Sequence, residues 1–195
     1  YGFSGTPVGG MPSAEKGNGK VFIAAFRECK ELLELSPNIG VLINLDTETE
    51  YNQYIKSFCE KSTALVCSDS KNAMDLASGH ANVKFLNAKK DVFETYMLGA
   101  HNKHNASFAY WASHTFGIDE ELVKNALLSY QGLERRCRKK TSGDKHIIIE
   151  DFAHHPSELK ALTLMLNELF PEKHKTLIFQ PHCRDIVEKY REVIR

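Results

Sequence analysis

The stretch His146–Phe170, HIIIEDFAHHPSELKALTLMLNELF, decides how the chain reads. Three consecutive isoleucines make an apolar run of strand length. Pro156 suits the first position of a helix, and Leu159, Leu162, Met165, Leu166 and Leu169 then recur on one helical face. Between strand and helix lies a turn with an acid, Asp151, an aromatic, Phe152, and adjacent histidines, His154 and His155. Pro171 ends the helix, and KTLIFQPH (175–182) reads as the next strand. Strand, helix and strand at this spacing form a βαβ unit, the opening of a Rossmann-like sheet. Open parallel sheets collect ligands beyond the carboxyl ends of their strands. DFAHHP and FQPHCR both lie at such ends, so Asp151, His154, His155 and His182 can converge on one crevice. Three uses remain open for them: metal binding by the histidines, capping of the helix, or lining of a ligand slot.

Upstream, VFIAA (21–25), IGVLINL (39–45), TALVCSD (63–69) and ANVKFLN (81–87) read as strands. TETEYNQYIKSFCEK and SKNAMDLASGH between them read as helices, the second with Ser70 as N-cap and Gly79 as stop. Alternation of this kind predicts an α/β fold, a parallel-rich sheet with helices on its faces. HNASFAYWASHTFG predicts a helix ending at Gly117. Asp119 caps another, with Leu122, Val123, Ala126, Leu127 and Tyr130 as its apolar stripe and Gly132 after it. RRCRKKTSGDK (135–145) is polar, basic and rich in breakers. It places a boundary near 140–144, separating residues 1–140 from 144–195.

Composition narrows the function classes. With 42% hydrophobic and 26% charged residues the chain is globular, and its net charge of zero argues against a nucleic-acid or membrane surface. No apolar run approaches the ~18 residues of a membrane helix. The five cysteines (Cys29, Cys59, Cys67, Cys137, Cys183) are scattered without CxxC spacing, as expected for reduced thiols in a cytoplasmic protein. The opening residues carry no signal-peptide pattern. The chain starts at Tyr1 and stops inside the helical pattern VEKYREVIR, which reads as a piece of a longer protein.

Two further clusters carry polar chemistry. MLGAHNKHNASFA (97–109) sets Asn102 and Asn105 three apart at the opening of a helix. Carboxamides offer donor and acceptor together, which suits the edge of an adenine ring; asparagines at a helix start also serve as caps or face solvent. Arg135 and Arg136, after the helix stop in YQGLERRCRKK, can form a fork for phosphate or a solvated basic linker.

In this order the clusters resemble the Mur ligases, ATP-dependent amide-forming enzymes of bacterial peptidoglycan synthesis. GAHNKHN is similar to the family's G-x-H-N-x-x-N, YQGLERR to its F-x-G-x-x-R-R, EDFAHHPSELKA to its D-D-[YF]-[GA]-H-H-P-T-E, and IFQPH to its F-Q-P-H. PVGGMP, VFIAAFRECK and LINLDTE resemble preceding segments of the central domain. The resemblance implies the later part of the central ATP-binding domain over 1–140, then a truncated start of the C-terminal Rossmann-like domain over 144–195. It implies Asn102 and Asn105 at adenine, Arg135 or Arg136 at the phosphates, Asp151 at the ribose and His101 fixing its turn. Phe152, His154, His182 and Arg184 would border the amino-acid site, with His154 and His182 as catalytic groups. ATP and Mg2+ are the implied cofactors. UDP-N-acetylmuramate and L-alanine, or a muropeptide, are the implied partners.

The sequence also departs from the family. Its phosphate loop, G-T-x-G-K-[ST], does not occur among the 195 residues. Ala25 stands where the family carries a magnesium-binding Glu, with Glu28 as a shifted candidate ligand, and Thr49 stands where it carries a His. Cys183 replaces the arginine after F-Q-P-H, with Arg184 one place later. Two main classes follow: part of a working ligase whose upstream portion supplies the phosphate loop, or a degenerate Mur-like nucleotide-binding or interaction protein. A His-metal hydrolase is a third.

Overall fold

The computed structural model describes residues 21, 23, 33–43, 52–143, 146–154 and 156–180. The chain forms two compact units, Tyr1–Gly132 and Leu133–Arg195. The division falls before the 140–144 segment that the sequence suggested.

In the first unit a parallel sheet has the order β1 (Ile39–Leu42), β2 (Ala64–Ser68), β3 (Val83–Leu86). Ile39 pairs with Ala64 and Leu65 with Val83, so β2 is the central strand. Parallel neighbours need crossovers, and helices supply them: α1 (Asn52–Lys61) and α2 (Lys71–Leu76). All five β2 residues are buried, as befits a strand covered on both faces. Leu65 and Cys67 join Leu42, Ile55, Phe58, Cys59 and Ala77 in one cluster. Val66 joins Leu86 and Phe108 in another, flanked by Ile39 and Trp111. The second cluster exists because α3 (Ala100–Thr115) supplies Phe108 and Trp111.

The expected local signals hold here. Ser70 caps α2 by accepting from the Ala73 amide, and Gly79 takes a φ of 82° just beyond. Asp119 caps α4 (Glu120–Ser129) by accepting from Leu122 N at 3.0 Å. The α4 stripe is narrower than its periodicity predicts. Val123 is buried, but Leu122 is 63% exposed, and Ala126 and Tyr130 also face solvent. A ten-residue helix lying against one other helix buries a seam, not a broad face.

In the second unit β4 (Arg138–Ser142) runs antiparallel to β5 (Ile147–Glu150), with an irregularity between Lys139 and Thr141. The polar run expected to be a linker is therefore partly a strand. Its charges find partners: Lys140 Nζ lies 2.9 Å from Glu150 and 3.3 Å from Glu134, and Arg138 pairs with Glu134. Pro156 opens α5 (Pro156–Leu169), where Met165 is buried and Leu159, Leu162 and Leu166 are half-buried. Leu169, placed on the same face by the sequence, is exposed.

The strand expected over KTLIFQPH does not form within its described part, 175–180, where Ile178 is 94% exposed. A strand exists only through a paired neighbour, and these residues carry no ladder bond. The described residues thus show a hairpin and helix, not a closed βαβ unit. Val21 and Ile23 are likewise exposed and unpaired as strand residues, and the rest of VFIAA lies outside the described residues. No helix among the described residues is long and apolar enough to cross a membrane.

Candidate active site

Each unit carries one group of the candidate residues. In the first, Gly99 precedes α3 with a φ of 95°, a conformation that side-chain-bearing residues rarely adopt. Glycine at the head of GAHNKHN is thus explained by backbone geometry. Asn102 Nδ2 donates to Leu98 O at 2.7 Å, which orients the carboxamide. Its second N–H and its oxygen remain as a donor–acceptor edge by valence. Asn105, one turn on, is exposed. His104 Nε2 is buried and has no hydrogen-bond partner among the described residues.

In the second unit the turn after Leu133 has two unusual residues. Arg135 has a φ of 60° and Cys137 a φ of 48°, both in the left-handed region. For non-glycine residues that costs about 1–2 kcal/mol each. Asp151 meets this turn directly. Its Oδ2 accepts from Cys137 N at 2.7 Å and from Cys137 Sγ at 3.3 Å, while Oδ1 accepts from Ala153 N at 2.6 Å. A hydrogen bond to a charged acceptor contributes about 1.5–3 kcal/mol, enough to offset the strain at Cys137. Burial, then the Asp151 charge, push the Cys137 thiol up to about 12.

The arginines border the same corner. Arg135 lies over the Phe152 ring at 5.4 Å, with Nε 3.5 Å from Glu150. Arg136 Nη1 is 4.0 Å from Glu158. Glu158 also accepts from His154 N at 3.0 Å and lies 3.6 Å from His154 Nδ1. His154 Nδ1 is 2.9 Å from Phe152 O, and the two rings meet edge to face at 5.2 Å. A carbonyl oxygen only accepts, so Nδ1 carries the hydrogen and, in the neutral ring, Nε2 carries the lone pair. The corner thus sets two guanidinium groups beside an acid, an aromatic ring and a histidine.

The structure thus brings Arg135, Arg136, Asp151, Phe152 and His154 together in one unit; Asn102 and Asn105 belong to the other. Sequence reasoning missed Glu150, Glu158 and Cys137 as partners. An acid at the third helical position after Pro156 is a capping signal that points to Glu158. Nothing local marks Cys137, whose partner is 14 residues away. His182, Arg184, Glu28, His155, Ala25 and Thr49 lie outside the described residues. Among the described residues no group of three or more His, Cys, Asp or Glu side chains is placed to hold a metal ion.

No family model matches the chain. It is 36% identical over 107 residues to UDP-N-acetylmuramate–L-alanine ligase of Lactobacillus delbrueckii subsp. bulgaricus, covering 53% of this chain and 24% of that protein. The solved UDP-N-acetylmuramate–alanine ligase of Thermotoga maritima matches with a TM-score of 0.65 at 20% identity, over 84% of this chain and 46% of that one. The chain is homologous to the Mur ligases. A folylpolyglutamate synthase of Mycobacterium tuberculosis, solved with ADP and AMPPCP, matches with a TM-score of 0.54 at 15% identity, over 71% of this chain and 41% of that one. These likenesses establish the fold of the Mur ligase homologue, a mixed α/β architecture with a parallel sheet. The chain spans about a quarter of the length of the curated relative, 24%.

Proposed function

We propose that the chain is part of an ATP-dependent ligase of peptidoglycan synthesis or recycling, joining L-alanine or a muropeptide to UDP-N-acetylmuramate through an acyl phosphate. The reading rests on one observation: an arginine pair beside an acid–aromatic–histidine turn, in a homologue of ligases. In this reading the first unit is the later part of the central ATP-binding domain, and the second opens the C-terminal Rossmann-like domain. Nucleotide substrates imply a cytoplasmic setting.

Asn102 and Asn105 read the adenine edge. Arg135 and Arg136 counter charge on phosphoryl oxygens, where such reactions most need it. Their pairs with Glu150 and Glu158 are long, 3.5 and 4.0 Å, and exposed, so a multiply charged phosphate displaces them readily. One lone pair on Asp151 Oδ1 remains for a ribose hydroxyl. The muramate carboxylate oxygen attacks the γ-phosphorus and ADP leaves. The amine then attacks the acyl carbon, the C–O bond to phosphate breaks, and the amine's proton passes to His154 Nε2. Phe152, His182 and Arg184 border the incoming amino acid. Glu28 is the residue that would hold magnesium, which would supply further counter-charge.

The test is ATP-dependent phosphate release by the whole gene product on adding UDP-N-acetylmuramate with L-alanine or a muropeptide. Phosphate and amide should form one for one. The 195-residue chain alone, without a G-T-x-G-K-[ST] loop, should show no turnover. Ala25 and Thr49 favour a second reading, nucleotide binding without ligation. Tight ATP binding with no amide product from any of these substrates would identify it.

A further inference from the structure

We propose that Asp151 is the pin that holds the Arg135–Cys137 turn in its left-handed backbone conformation, and so positions both arginines. Two residues of this turn, Arg135 and Cys137, have positive φ although neither is glycine. Left alone, such a turn relaxes to ordinary φ. The contact that opposes relaxation at Cys137 is double, since one oxygen of Asp151 accepts from both its amide and its thiol. The other oxygen is bound to Ala153 N, which fixes the carboxylate to its own loop. Asp151 therefore ties the end of β5 to the turn before β4. Release of that tie rotates the backbone that carries Arg135 over Phe152 and Arg136 towards Glu158. The carboxylate needs both oxygens; a carboxamide has one oxygen for two backbone donors.

The pin can be read at the Cys137 thiol, independently of any activity. Facing the thiol are Asp151, which disfavours its ionisation, and Arg136, which favours it. In the native 195-residue chain, iodoacetamide should label Cys137 slowly at pH 8. Asp151→Asn should raise that rate about tenfold or more, measured peptide by peptide by mass spectrometry. Amide protection of α5 shows whether the second unit stays folded. An unchanged Cys137 rate in a folded Asp151→Asn chain overturns the proposal. Where Asp151→Asn does not fold, amide exchange of the native chain decides. A Cys137 amide protected as well as those of β4 supports the pin, and one that exchanges as fast as a solvent-exposed turn amide overturns it.

The consequence for the arginines rests on the ligase reading and has its own readout. In the whole gene product Asp151→Asn should raise KM for ATP. Adding Cys137→Gly should recover part of the lost affinity, because glycine holds a positive φ unaided while the ribose contact stays altered. Loss of a ribose contact alone would not be rescued in this way, and failure of the rescue overturns the positioning role. An altered Cys137 rate in a protein that never binds ATP leaves the pin standing and overturns the ligase reading.

Discussion

A methyl group on Gly40 would sit 2.6 Å from Ser62 Oγ, 2.8 Å from Leu65 Cδ2 and 2.9 Å from Phe58 Cε1. Glycine there is a packing requirement of the β1–β2 contact. Gly40→Ala should destabilise the first unit by about 1–3 kcal/mol, read as a lower midpoint in urea unfolding. Asp119→Ala removes an N-cap and should cost about 1 kcal/mol, with the loss seen as faster amide exchange in the first turn of α4. The two residues differ in legibility. Asp119 announces itself, because its partner is three residues away and the following acids repeat the signal. Gly40 does not, since its neighbours are 18 to 25 positions distant and only folding brings them close. The same holds at the site. Arg135, Arg136, Asp151 and His154 could be singled out by residue type and motif, but the Asp151–Cys137 bond could not.

At the level of elements, the β4–β5 hairpin pairs charges across its strands where an apolar alternation is missing. Lys140 hydrogen-bonds Glu150 and holds its carboxyl below the ordinary 4.5, while Glu150 raises Lys140 above 10.5. A carboxyl lowered by folding favours the fold above 4.5 and loses that contribution as pH falls through its folded value. The raised ammonium favours the fold below 10.5 and loses its contribution as pH rises through its own folded value. Amide protection over Ile147–Glu150 should therefore weaken below pH 4.5, and Glu150→Gln should flatten that dependence. An identical acid profile in the variant would refute the assignment. Sequence pattern could not find β4, because RKKTS has no alternation and its strand state comes from partners across the hairpin. It overextended α4, whose stripe is real but meets too little surface to be covered. It placed β1, β2, β3 and α1 to α3 well, since continuous apolar runs and capping residues act locally. It expected a strand at KTLIFQPH from an apolar run at βαβ spacing, and over 175–180 no pairing edge supports one.

For the molecule as a whole, stability is uneven. The first unit has a sheet covered on both faces, with Val66 and Cys67 at 0% exposure. Among its described residues the second has a two-stranded hairpin and one helix, with Met165 as the fully buried side chain. Hairpins of two strands are marginal without more cover. Hydrogen exchange should accordingly find its slowest amides in β2, with β4 and β5 exchanging earlier. Equal protection of the two units would count against this division. Homology supplies what the folded chain cannot show by itself, a relation to the Mur ligases. The central claim is the proposed ligase activity, with Arg135 and Arg136 at the phosphates. It is tested most directly by following ATP consumption and amide product together in the whole gene product, native and Arg136→Ala. The account predicts one ADP per amide bond in the native protein and a fall of about a hundredfold in kcat/KM for the variant. Native protein that makes no amide, or a variant that makes it at the native rate, would contradict it.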